Sequence, residues 1–261
     1  THCAVITFEN ELIDLPALKK LEEQCTVFYP QLACLAPLLD KYDQRQYCDR
    51  INLPSPPFAT LHSKADRPQL TDKVNAVGLP LALKTRRHGY DGQGTFILNT
   101  LEAVESTWRT LGYQPVLLEA FVKFEKELAV MVARSQAGEI AVYPVVETEQ
   151  IEQVCRRVIA PARVSEKVAE EVRRIATQLV DSLGVVGIFG IELFLTADGQ
   201  VLINEIAPRT HNSGHYTLNA CETSQFAQQL REQKRRTQGS IAMTSPGAVL
   251  EKLMGKEKTQ A

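Results

Sequence analysis

Two glutamates, Glu192 and Glu205, are the residues whose type and spacing first suggest chemistry. They lie in GIELFLTADGQVLINEIA, residues 190–207, where Ile191, Leu193 and Leu195 alternate with Glu192 and Phe194 and where Asp198-Gly199 supplies a turn. That is the pattern of a β-hairpin. With Asp198 and Gly199 as a two-residue loop, Ala197 faces Gln200 and Glu192 faces Glu205. Their side chains then share a face, with Cβ atoms roughly 4.5–5.5 Å apart. A four-residue loop keeps that pairing, and an odd-length loop destroys it. Two facing carboxylates repel, and burying them uncompensated is costly. A cation between them relieves both problems. Oxygen ligands from two residues suit Mg²⁺, which keeps waters and takes its remaining ligands from phosphates. The competing reading is a pair of surface glutamates on an edge hairpin. On the metal reading, Glu205→Gln is expected to weaken stabilisation by a Mg²⁺-bound nucleotide while leaving the unliganded fold intact or slightly more stable, since the repulsion is relieved.

A second stretch points to phosphate. The apolar run Leu79 to Leu83 delivers Lys84, and Gly89, Tyr90, Asp91, Gly92, Gln93, Gly94 and Thr95 follow within a few residues. Glycines at this spacing let the backbone turn tightly and bring N–H groups close to an anion, and a lysine is a compact charge for phosphate. No GK[ST] follows, so this is not a P-loop. A strand, Thr95 to Leu98, comes next in place of a helix, which excludes a dinucleotide fingerprint. A glycine-rich loop between strands reads either as a flap over a nucleotide or as an ordinary hairpin. The neighbouring Lys84, Arg86, Arg87 and His88 favour phosphate. Glu119 sits inside the apolar strand PVLLEAFV and needs a partner, either a salt bridge or a ligand; Glu127 lies early in the next strand. After the hairpin, Arg209, His211, Asn212, Ser213 and His215 are too polar for a core and read as a binding loop, with Arg209 and His211 suited to phosphate or carboxylate.

The elements that must position these residues alternate along the chain. Residues 1–33 read as a strand (AVITF), an acidic turn with Glu9 and Glu11, a helix and a short strand, TVFYP. A helix carrying Arg45 ends near Asn52, before the proline link LPSPPF. Helix TLEAVESTWRTL closes at Gly112. Three strands fill 114–149, and a helix capped by Ser165 and closed by Gly184 feeds the hairpin. Residues 232–261 end loosely. The 261 residues, 44% hydrophobic, are enough for one large or two small cores. A net charge of −2 gives no electrostatic case for nucleic acid, and no apolar run approaches the roughly 20 residues of a membrane span. Six cysteines without CxxC spacing read as reduced thiols of a cytoplasmic protein, not a zinc site.

The motifs ALKTRRHGYDGQG, LEAFVKFEKELAVMVARS and GVVGIFGIELFLTADGQVLINEIAPRTHNSGHYTLNACETSQF, with VITFENE more weakly, carry a resemblance. The chain resembles the ATP-grasp enzymes and, within them, the 5-(carboxyamino)imidazole ribonucleotide synthases of purine biosynthesis. The resemblance implies an α/β fold with an α+β core of two subdomains clasping ATP. It implies a remnant of a Rossmann-like domain over 1–33, an ATP-grasp domain over 34–232 with a flap-bearing part at about 55–118, and a C-terminal remnant over 233–261, so that the chain reads as truncated at both ends. It implies that Arg45, Lys84, Gly89 to Thr95, Glu119, Ala120, Phe121, Val122, Glu127, Asn204 and Glu205 hold ATP. Glu192 and Glu205 would hold Mg²⁺. In the two-residue-loop register the Asn204 side chain points away, so that its contact would run through backbone or a local bulge. Tyr90, Arg209, His211 and Asn212 would serve the reaction, and Glu9, Glu11, Tyr90, Arg209 and His211 the ribonucleotide. The substrates implied are 5-aminoimidazole ribonucleotide and bicarbonate, with no nucleic acid or membrane as partner and a homodimer left open.

Overall fold

Prolines at 54, 56 and 57 keep the chain out of a helix after Arg50, and the strand they release, β1 (Phe58–Leu61), begins the first of two sheets. In the computed structural model, residues 3–24, 26–87, 94–151, 154–234 and 236–252 are described. The first sheet adds β2 (Leu81–Thr85), β3 (Thr95–Leu98) and β4 (Val116–Ala120) in the order β1-β4-β2-β3, every pair antiparallel. Period-two alternation divides its faces. Leu81, Leu83, Val116 and Leu118 pack with helices Leu70–Val77 and Leu101–Thr110 around Trp108. Ala82, Lys84 and Glu119 point the other way, into a cleft.

The second sheet contains β5 (Phe124–Arg134), β6 (Ile140–Val142), β7 (Val146–Ile151), β8 (Val154–Ala160), β9 (Gly187–Thr196), β10 (Val201–Ala207) and β11 (Ala248–Glu251). Its order is β10-β9-β5-β7-β8-β11, with β6 paired to β5 off that path. Helix Glu166–Leu183 covers one face. Ser165 Oγ accepts from Val168 N (3.4 Å) at its start and Gly184, at φ +60°, ends it. Val172, Ile175, Leu179 and Val180 form its buried stripe against Leu128, Val130, Phe189 and Ile191. On the opposite face Met131, Tyr143 and Ile188 meet Tyr216 and Cys221, from the segment after the hairpin.

Several expectations are corrected. The run IAVYPVVETE is two strands, because Pro144 has no N–H for the ladder and the chain turns Tyr143 inward, where its hydroxyl donates to Thr223 O (3.0 Å). Among the described residues, AVITF and TVFYP meet through a single parallel bridge, Ile6 with Phe28, and form no longer ladder. The helix before the proline link is broken near Pro37 into Leu32–Leu35, a 3₁₀ turn and Lys41–Arg50. Asp40 restarts it, accepting from Tyr42 N (2.9 Å) and Asp43 N (3.4 Å). β1, β8 and β11 were not anticipated. β11 pairs with β8, so the second sheet runs across the expected division at 233. The described cysteines are unpaired, with Cys48 and Cys221 buried. Among the described residues no helix is long and apolar enough to cross a membrane.

Trp108 is fully buried, edge-on to Tyr113 at 5.1 Å, with its indole N–H on Gln114 O (2.9 Å). Trp108→Ala is expected to lower stability by about 3–5 kcal/mol in urea titration; a loss below about 1 kcal/mol would show that the first sheet does not depend on this core.

Candidate active site

The hairpin reaches the expected pairing by an unexpected route. Thr196 N donates to Gln200 O (3.0 Å) and Gly199 N to Thr196 O (2.9 Å), closing a loop of Ala197, Asp198 and Gly199 with Gly199 at φ +82°. The loop is therefore odd in length, and as far as Ile203, which faces Leu193, the register is one residue off. A β-bulge between Ile203 and Glu205 then inserts Asn204 and restores Glu205 opposite Glu192. The bulge does more than restore register. It brings the Asn204 side chain into the cleft beside Glu205, where its Oδ1 accepts from Lys84 Nζ (3.2 Å) and its Nδ2 donates to Glu192 Oε2 (3.4 Å).

Helix Lys41–Arg50 fixes the bulged strand. Residues 41, 44 and 45 fall on one face at i, i+3 and i+4. Gln44 Nε2 donates to Ile206 O (2.9 Å) and its Oε1 accepts from Ile206 N (3.2 Å). Arg45 donates through Nη2 to Asn204 O and through Nε to Glu119 Oε1. Lys41 Nζ lies 2.6 Å from Glu205 Oε1. Arg45 is 2% exposed with both arms taken; it stands behind the cleft and does not line it.

Glu119 is salt-bridged, one of the two outcomes left open for it. It is 2% exposed, between Arg45 and Lys84, whose Nζ is 2.5 Å from Glu119 Oε2. Burial alone would raise its pKa, but the two cations outweigh that and hold it at about 2. Burial lowers the pKa of Lys84, with Glu119 opposing and Arg45 adding to the fall. Two cations on one buried anion leave an excess positive charge beside the cleft, a seat for an anion. A few residues away the imbalance reverses. Burial, and next the charge of Glu205, raise Glu192 to about 7. Burial and the charge of Glu192 raise Glu127 to about 7. Glu205 goes the other way: burial raises it, but Lys41, Lys84 and His211 together outweigh burial and hold it at about 2. Among the described residues no group of three His, Cys, Asp or Glu side chains could hold a metal unaided. Glu192, a carboxylate short of positive charge, faces Glu205 and lies near Lys84, which shares Glu119 with Arg45; that arrangement matches a divalent ion arriving with a phosphate.

These groups surround a cavity of about 690 Å³ between the two sheets. It is lined by Lys84, Thr95, Glu119, Ala120, Phe121, Val122, Glu127, Glu192, Asn204 and Glu205, and at one end by Glu11, Arg209, His211 and Asn212. Glu9 is exposed and not part of that lining. Gly94, at φ +83°, closes the hairpin through Thr85 N to Gly94 O (2.8 Å); a Cβ there would lie 2.4 Å from Thr85 Oγ1. Gly89, Tyr90, Asp91, Gly92 and Gln93 lie outside the described residues. In 119–122 the Ala120 and Phe121 N–H groups already donate to Pro57 O (2.9 Å) and Pro80 O (3.1 Å), so those two donors are not open to a base. Arg209 Nε lies 2.8 Å from Glu11 Oε1 as an ion pair, without hydrogen-bond geometry. His211 Nδ1 meets Ser213 Oγ (2.9 Å), and its Nε2 is 3.7 Å from Glu192 Oε1.

Sequence reasoning missed Lys41 and the pair Phe124 and Phe194. Phe194 shares the Glu192 face by strand alternation, a signal that was present; it stacks on Phe124 at 4.8 Å and 7°. Lys41 has no sequence signal, because its role depends on where its helix docks.

Two antiparallel sheets holding between them an anion seat, a carboxylate pair and stacked aromatics define a nucleotide-clasping fold, and an ATP-grasp domain matches residues 46–226: the chain belongs to the ATP-grasp family. Within it, the chain is similar to N5-carboxyaminoimidazole ribonucleotide synthases. It is 52% identical over 259 residues to that of Synechococcus elongatus, covering 99% of this chain and 65% of that protein. It is 35% identical to that of Bacillus subtilis, covering 97% and 65%. The chain thus spans 65% of the length of both relatives. The Thermus thermophilus synthetase superposes with a TM-score of 0.88 at 32% identity, over 98% of this chain and 68% of that one. The Aspergillus clavatus synthase in complex with ADP and 5-aminoimidazole ribonucleotide gives 0.86 at 29%, over 95% and 64%.

The expected effect of Glu205→Gln is corrected by this geometry. Glu205 is the carboxylate matched by Lys41; Glu192 is the one whose charge is penalised. A carboxyl raised by folding costs stability as pH rises from its ordinary value near 4.5 through its folded value of about 7. Glu192→Gln is therefore expected to stabilise the unliganded protein by about 1–3 kcal/mol at pH 8, with the gain vanishing near pH 4.5. Urea titrations at pH 5 and pH 8 check this, and equal or lower stability of the variant at pH 8 would contradict it.

Proposed function

We propose that this chain catalyses the ATP-dependent carboxylation of 5-aminoimidazole ribonucleotide with bicarbonate, in de novo purine biosynthesis in the cytoplasm. One observation carries the reading: Lys84, Asn204, Glu192 and Glu205 converge in a cleft that continues directly into Arg209, His211 and Glu11. Similarity to the synthases supports the choice of substrate.

On this reading ATP lies between the sheets. Val122 and its neighbours border the base, with the stacked Phe124 and Phe194 offering an apolar wall. Glu127 faces the ribose. Lys84, held in place by Glu119, meets the phosphates. Glu192 and Glu205 would hold Mg²⁺, which would supply positive charge to the phosphates. Bicarbonate oxygen attacks the γ-phosphorus and ADP leaves. The carboxyphosphate formed, or CO₂ released from it, is captured by the exocyclic amine, which loses a proton as phosphate departs. Arg209, His211, Asn212 and Tyr90 orient the ribonucleotide and the carboxylating species, and Glu11 borders the aminoimidazole. The protein acts by placement and by fixed charge.

Phosphate release should require ATP, bicarbonate and 5-aminoimidazole ribonucleotide together and fall to background when any one is omitted. Release that ignores the ribonucleotide, or that follows a different amine, would assign the cleft to another carboxylate–amine ligase. Mg·ATP at a hundred times its Kd should also raise stability by about 2.7 kcal/mol. That rise without any turnover would leave a nucleotide-binding protein and overturn the ligase reading.

A further inference from the structure

Helix Gln225–Gln233 reverses the usual amphipathic arrangement. Its buried residues are Gln225, Gln228, Gln229, Glu232 and Gln233, whereas Phe226 and Leu230 are 37% and 54% exposed. Polar side chains are buried at a desolvation cost unless they are fully hydrogen-bonded, so each buried glutamine needs a partner. For Gln229 the partners are Ile188 N (2.7 Å) and Thr7 Oγ1 (2.8 Å). For Gln225, which has no exposed surface, both partners belong to one residue of the cleft. Its Oε1 accepts from His211 N (2.9 Å) and its Nε2 donates to His211 O (2.8 Å).

A carboxamide that holds both the N–H and the C=O of one residue acts on the backbone as a neighbouring strand does, and fixes its orientation in two directions. The rest of the environment reinforces the grip. Gln225 N donates to Thr217 Oγ1 (2.9 Å), and that hydroxyl donates to Gly214 O (2.7 Å). Gly214 has no room for a side chain: a Cβ there would lie 2.5 Å from Gln225 Oε1. On the strand side, a Cβ at Gly190 would lie 2.5 Å from His211 Cβ. His211 is thus pressed between Gly190 and the amide of Gln225, and its ring is left spanning Ser213 Oγ and Glu192 Oε1.

We propose that Gln225 is a positioning residue: it touches no ligand, and it sets the side chain of His211 against the carboxylate pair. The inference rests on the reading of this cleft as the nucleotide and ribonucleotide seat, and it reaches a residue that does not line the cavity.

The test compares wild type, Gln225→Leu, Gln225→Glu, His211→Ala and the double variant Gln225→Leu/His211→Ala. Gln225→Leu removes both bonds; Gln225→Glu keeps the length and the acceptor for His211 N and guards against a variant that fails to fold. In hydrogen exchange read by mass spectrometry, the peptide 208–216 is expected to exchange at least ten-fold faster in Gln225→Leu, with β5 and β9 unchanged. Unchanged exchange in that peptide would overturn the clamp whatever the activity. In phosphate release, Gln225→Leu is expected to raise the KM for 5-aminoimidazole ribonucleotide or lower kcat at least ten-fold, with the KM for ATP within two-fold, and Gln225→Glu to fall between it and wild type. The double variant should match His211→Ala within about two-fold, since a residue acting through another shows no separate effect. Multiplying effects, or equal losses toward ATP and ribonucleotide, would make Gln225 a plain core residue and overturn the proposal. Wild type lacking ribonucleotide-dependent release would instead refute the functional reading, while the exchange result still decides the clamp.

Discussion

One inserted residue decides which side chains the cleft contains. Strand alternation sends neighbours to opposite faces, so a regular β10 could present Glu205 or Asn204 to Glu192, but not both. The bulge at Asn204 presents both. Bulges loosen a ladder and leave a residue unpaired, and this one is held by side chains from outside the sheet. Arg45 takes the Asn204 carbonyl, and Gln44 takes both backbone groups of Ile206. The helix Lys41–Arg50 therefore supplies an edge partner for β10, and in the same stroke carries Lys41 to Glu205 and Arg45 to Glu119. Register, charge balance and the joining of the two sheets all depend on the docking of this single helix.

The cleft's charges are set in advance of any ligand. Glu119 spends its charge inside the protein, holding Lys84 at a fixed height above β4. A lysine on a flexible stem loses rotamer freedom when it binds phosphate; one already tethered loses less. The carboxylates are treated unequally. Glu205 is kept ionised by Lys41, while Glu192 and Glu127, more weakly compensated, sit near neutrality. A divalent ion between Glu192 and Glu205 would favour the ionised form of Glu192, so ion binding and proton release are linked. Excess positive charge around Lys84 and excess negative charge around Glu192 and Glu127 lie side by side in the cleft, the complement of a metal–phosphate pair.

Local pattern was enough to read the helix 166–183, with its cap, stripe and terminal glycine, because those depend on neighbours a few residues apart. The hairpin shows where such reading stops. Asp198-Gly199 suggested a two-residue loop, the chain made three, and the bulge at Asn204, within β10, compensated. Two departures cancelled, and the cause of the second, Arg45 and Gln44, lies some 160 residues away in sequence. The same distance hid Lys41. β8 was missed because Arg156 and Arg157 interrupt its apolar pattern; Arg157 is tolerated there because it pairs with Glu149 and Glu251 on the strands to either side. β1 was overlooked because it is four residues long and follows prolines that read as a linker.

Buried polar side chains in this protein mostly grip backbone rather than one another. Gln44 holds Ile206, Gln225 holds His211, Gln229 holds Ile188, and the Tyr143 hydroxyl holds the Thr223 carbonyl. An apolar contact of similar area would stabilise as much, but it would tolerate a slide along the strand by a fraction of a residue. A carboxamide with both a donor and an acceptor engaged does not, because a slide leaves at least one buried group unpaired at a cost of about 1–3 kcal/mol. Such contacts therefore add little to net stability and much to uniqueness of position. They are concentrated on the two helices that flank the cleft, Lys41–Arg50 and Gln225–Gln233, where placement to within a fraction of an ångström determines whether charged groups meet a phosphate or miss it. The exposed apolar face of the second helix follows from the same choice: with its polar side committed to the strands beneath it, Phe226 and Leu230 are what remains to face outward.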